Sequence, residues 1–136
     1  MLGLTQLAAE CLDLDEKPVL SAMTSFSTES PVTYTDPYTG EAEEDVETTK
    51  GKGALFLTTK NRLVFVTARS SLLGGKRYEV AHSIHIRDIR NVRSEGHDTL
   101  RVEYQPLNSD HRTVARYRLS PVQEWVSRIK QMYYAL

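Results

Sequence analysis

The four histidines and the single cysteine are the side chains best suited to metal or nucleophilic chemistry, and their spacing argues against both. His82 and His85 lie three residues apart in a strand-like segment, which points them to opposite faces. They cannot chelate one ion without a bulge. His97-Asp98 follows Gly96 in a turn signal with no second ligand beside it. No His-Glu-x-x-His, paired-cysteine or nucleophile-elbow pattern occurs. Gly51-Lys52-Gly53 precedes a strand rather than a helix, so it is not a nucleotide-binding loop. Cys11 has no disulfide partner, fits a reducing, cytoplasmic compartment and reads as a small helix-face hydrophobe. The expectation is a protein that is not an enzyme and uses no cofactor or metal.

Positive charge is the other chemistry in the chain. Residues 1–50 carry 11 acidic and 2 basic side chains, whereas residues 51–136 carry 7 acidic and 15 basic ones. The basic part can attract an anionic partner or the acidic part of its own chain. In an up-and-down strand arrangement, the connections around 28–52, 68–77 and 105–112 fall at one end. They bring together Lys50, Lys52, Arg69, Lys76, Arg77, His111 and Arg112, with Leu72 and Leu73 at the tip of the middle loop. Cations around an apolar tip suit an anionic membrane surface, where charges meet phosphates and leucines enter the interface. The plainer reading is a solvated rim with leucines tucked against the fold or a partner, neutralised by the acidic run Glu41–Glu47. Arg112, Arg116 and Arg118 could make a nucleic-acid face. Val114 on the same face, the lack of aromatic platforms there and a pI near 6.4 argue against it.

These residues need a scaffold, and 136 residues with 40% hydrophobic and 26% charged side chains are enough for one domain with a real core. No apolar run approaches the length of a spanning helix, and no basic stretch precedes the first apolar residues as in a signal peptide. Leu4, Leu7, Ala8 and Cys11 predict a short helix within 2–12. It contains no Lys or Arg, which argues against an interfacial membrane helix. Pro18 ends that extension, and Val19–Ser27 reads as a strand. Residues 28–50 read as a long acidic insertion, a loop or a partly paired hairpin turning around Asp36–Gly40.

From residue 51 the pattern is regular. Strands are expected at Ala54–Thr58, Arg62–Thr67, Tyr78–Ile86, Ile89–Arg93, Thr99–Tyr104 and Arg112–Leu119. In the third of these, Tyr78, Val80, His82, Ile84 and Ile86 share one face by alternation. Phe56, Val64 and Val66 would form an apolar patch on the outer face, best covered by the N-terminal helix. Ser120, Pro121 and Gln123 form an N-capping pattern for a last helix, whose stripe is Val122, Trp125, Val126, Ile129 and Met132 or Tyr133. Seven short strands and one amphipathic helix predict a mainly β barrel or sandwich plugged by Trp125.

Gly53, Leu55, Leu57-Thr58 and Arg62-Leu63-Val64-Phe65, followed by Ile86-Arg87-Asp88-Ile89 and Trp125, carry a family resemblance. The segment 18–136 resembles the pleckstrin-homology (PH-like) superfamily, in particular its GRAM and bacterial PH-like branches, and GLUE domains share the hairpin. The resemblance implies a seven-stranded PH-like barrel with a capping C-terminal helix. It also implies a binding module or adaptor for a protein partner, with ubiquitin or trafficking components as partners in the GLUE case. The alternative it implies is peripheral binding of anionic lipid or phosphoinositide through the basic loop end. The acidic first connection and the N-terminal helical extension, residues 1–17, depart from the family pattern.

Overall fold

The computed structural model describes residues 3–70 and 75–136. Its elements are α1 (Leu4–Cys11), β1 (Pro18–Thr35), β2 (Ala42–Thr58), β3 (Arg62–Ser70) and β4 (Lys76–His85). A short 3-10 turn (Ile86–Asp88) leads to β5 (Ile89–Glu95), β6 (Thr99–Tyr104), β7 (Thr113–Arg118) and α2 (Val122–Tyr134). The seven strands form one antiparallel sheet in the order β4-β3-β2-β1-β7-β6-β5. The protein is therefore mainly β with two helices, as the patterning predicts. The closed barrel is corrected: the sheet is open, with β4 and β5 as its edges. No helix among the described residues is long and apolar enough to cross a membrane.

Alternation along each strand explains how one open sheet makes one core. Leu55, Leu57, Leu63, Phe65 and Ile84 from one half cluster with Val92, Leu100, Val102, Ala115 and Tyr117 from the other. Val122, Trp125, Val126 and Ile129 of α2 complete that cluster, with Trp125 only 2% exposed. Met132, not Tyr133, continues the stripe onto the core. The expected cap is not formed. The helix begins at Val122 without a side-chain cap, and the Gln123 amide instead donates to Ser94 Oγ at 2.9 Å.

The opposite sheet face carries a second, smaller core. Leu7, Ala8 and Leu12 cover Ala54, Phe56, Val64 and Val66, which confirms the predicted role of the N-terminal helix. An eight-residue helix is marginal by itself, so tertiary contacts must hold it. The Glu16 carboxylate does part of this from a buried position. It accepts hydrogen bonds from Arg62 and from Thr58 Oγ1, while Lys60 Nζ pairs with Asp15 at 2.7 Å and Asp13 at 3.1 Å.

Two expectations fail in part, for physical reasons. Over residues 28–50 the loop reading is overturned and the hairpin reading holds: β1 and β2 stay paired from Leu20–Leu57 out to Thr35–Ala42. The turn falls where predicted, held by Tyr38 N–H donating to Asp36 Oδ1 at 2.8 Å, with Gly40 at φ 72°. The single face expected for Tyr78 to Ile86 is also broken. Phe65 pairs with His82 but Val66 with Val80, so Ala81 is the extra residue of a bulge. Ile84 and Ile86 face the main core, and Tyr78 packs against the α1 cluster instead.

Candidate functional site

Strand direction alternates, so the β1–β2, β3–β4 and β6–β7 connections do lie at one end of the sheet. Arg69 and Lys76 sit where β3 ends and β4 begins, with Arg69 paired to Arg77 across the ladder. His111 and Arg112 occupy the β6–β7 connection, where Arg112 pairs with Glu103 at 3.1 Å. Leu72 and Leu73 lie outside the described residues. An apolar side chain that sequence reasoning missed stands at this end: Leu107 is 76% exposed in the β6–β7 connection.

Lys50 and Lys52 belong to a different grouping. In β2 the even-numbered residues face away from the main core, so both lysines project from the outer face of the sheet. There they line a cleft of about 590 Å³ together with Ser25 and Ser27 of β1, Thr99 of β6 and Arg116 and Arg118 of β7. Arg77, His111 and Arg112 do not line it. Arg116 bonds Glu29 at 2.9 Å and Glu95 at 3.1 Å, and Arg118 bonds Asp98 at 3.1 Å. The arginines are thus neutralised from within the sheet and the adjoining turn. Among the described residues, no carboxylate forms an ion pair with Lys50 or Lys52.

Gly51 and Gly53 between and beside these lysines have a packing task. A Cβ on Gly53 would collide with the Val66 carbonyl, and one on Gly51 with the Phe26 ring. The glycines let Phe26 and Phe65 approach to 4.3 Å between ring centroids. His82 stacks on Phe65 and its Nε2 lies 2.7 Å from the hydroxyl of fully buried Tyr117. Burial pushes the His82 pKa down to about 4, so the ring is neutral at physiological pH. His85, through Nδ1, accepts the Arg87 N–H, and together the two histidines play structural parts. The Arg62 and Thr58 hydrogen bonds lower the Glu16 pKa to about 2 against the opposing effect of burial.

A second concavity, of about 260 Å³, lies where α2 packs beside the β5 edge. Ile89, Val92 and Ile129 form apolar walls, Arg90 and Lys130 supply charge, and Tyr133 and Tyr134 form a rim. Tyr134 is 82% exposed. Among the described residues no strand follows β5 in the sheet, so its outer backbone edge adjoins this groove. The sequence contains the two amphipathic segments but no signal for their juxtaposition, because 29 residues lie between Val92 and Val122 at the helix start. No family model matches the chain, and no curated protein matches it.

Proposed function

We propose that this chain is a non-enzymatic binding module of the PH-like fold that recognises a protein partner along β5 and α2. The single observation behind this reading is an open strand edge beside a ready-formed groove with exposed tyrosines. A free edge offers unpaired N–H and C=O groups to an extended segment, and the groove offers a place for one of its side chains. The uninterrupted strand order and the helix beside the last strands support the PH-like assignment. Arg90 and Lys130 favour a segment with acidic residues.

The test is selection of random peptides displayed on phage against the full chain. Arg90 lines the groove and is the extra residue of a bulge that opposes no β6 residue, so Arg90→Pro removes its cation and its N–H from β5 while leaving the Asn91–Glu103 and Val92–Val102 pairs. Peptides that bind the parent and lose affinity with Arg90→Pro and with Tyr134→Ala are the expected result. Selected peptides that bind all three chains equally contradict it.

The lipid reading keeps one supporting observation, the exposed Leu107 beside the cations of the loop end. Loss of binding to anionic vesicles by Leu107→Ser tests that reading directly.

A further inference from the structure

We infer that the outer face of β1, β2 and β7 is a second binding site, separate from the β5 groove, for a ligand carrying two phosphoryl groups. The register sets its geometry. Ser25 pairs with Lys52 on one side and Arg118 on the other, and Ser27 pairs with Lys50 and Arg116 in the same way. All six side chains alternate to one face, away from the main core. With strands about 4.8 Å apart and about 3.3 Å per residue, the four cations mark a rectangle of about 10 by 7 Å. Two serine hydroxyls lie along its midline, and the cleft above them measures about 590 Å³.

Like charges at such spacing cost folding energy unless something neutralises them. The arginines have partners in Glu29, Glu95 and Asp98, but Lys50 and Lys52 have none among the described residues. The Arg118–Asp98 pair is solvent-exposed on both sides and so worth little, which leaves Arg118 free to turn to a stronger anion. The long, flexible lysine and arginine side chains can converge from this rectangle on a diphosphate, Lys52 and Arg118 on one phosphoryl group and Lys50 and Arg116 on the other, above the two serine donors. A single small anion can engage only one of the two rows.

The test is an amide-resonance titration of the full chain with inorganic pyrophosphate at low salt. Shifts are expected at Ser25–Ser27, Lys50–Lys52 and Arg116–Arg118. Lys50→Glu with Lys52→Glu should weaken binding by about tenfold or more, and the charge-matched Lys17→Glu with Arg128→Glu should change it by less than about twofold. Asp98→Asn, which releases Arg118, should tighten it. Sulfate at equal ionic strength should bind about tenfold more weakly. Absence of shifts, equal weakening by the control pair, or equal affinity for sulfate overturns the proposal. Sedimentation with phosphatidylcholine vesicles containing either phosphatidylserine or phosphatidylinositol bisphosphate then separates sources. Retention by the bisphosphate vesicles that is lost with the lysine pair assigns a lipid headgroup; no retention beside intact pyrophosphate binding assigns a free diphosphate.

Discussion

The two ends of the β1–β2 ladder are built from the same backbone hydrogen bonds and behave as different materials. At the base, Phe26 faces the aromatic cluster, β7 flanks β1 over Ser25–Glu29, and β3 flanks β2 over Gly53–Leu57. At the tip, from Ser30–Glu47 to Thr35–Ala42, neither strand pairs with a third one. Every β2 residue from Ala42 to Lys50 is exposed, and Asp36, Glu41, Glu43, Glu44, Asp45 and Glu47 make this tip acidic. A two-stranded ribbon gains little stability in water without a packed face. Strand pairing and burial are thus separate properties, and only the base has both.

The comparison is broken most severely by substitutions in the packed region. Trp125→Ala should lower unfolding free energy by about 3–5 kcal/mol, because it empties the site where α2 meets both halves of the sheet. Denaturant titration measures it, and an unchanged midpoint contradicts the shared core. Glu16→Ala should cost about 2–4 kcal/mol by leaving Arg62 and Thr58 without their buried acceptor. Loss of amide protection in α1 ahead of the main core would identify the cause.

A pH series sharpens the comparison further. His82 has a folded pKa of about 4, below its ordinary value near 6.5, so the unfolded chain binds more protons between these limits. Its contribution is full above about pH 6.5 and falls by about 2–3 kcal/mol as pH drops to about 4. Glu16 acts in a lower window, losing its contribution as pH falls from about 4.5 towards 2. His82→Gln should flatten the upper window alone, measured by thermal melts across both. The smallest effect is expected at the tip. Replacing Val32–Asp45 by Asn-Gly joins the Pro31–Val46 pair with a two-residue hairpin turn and should shift stability by less than about 1 kcal/mol. A larger loss would mean that the ribbon supports the body.

What was legible in the sequence follows the same division. Leu55, Leu63, Leu100, Val102, Trp125 and the patch of Phe56, Val64 and Val66 announce their positions because burial imposes alternation or helical period. Among the described side chains, residues 28–50 bury almost nothing, so their strand character leaves little hydrophobic trace and they read as a loop or a partly paired hairpin. The bulge at Ala81 shifts the face of β4 by one residue, which alternation cannot foresee. Of the candidate site, Lys50 and Lys52 were recognisable as cations. Their placement beside Arg116 and Arg118 depends on β7 pairing with β1, a contact across about 90 residues. The β5–α2 groove depends on tertiary packing in the same way.

Mapping one selected peptide on the isotopically labelled full chain decides whether a partner segment lies along β5. Amide shifts should concentrate in Ile89–Ser94 and Lys130–Tyr134, with new protection from exchange along the β5 edge and none of this with Arg90→Pro. Shifts centred on another face, or a groove response that Arg90→Pro leaves intact, would contradict it.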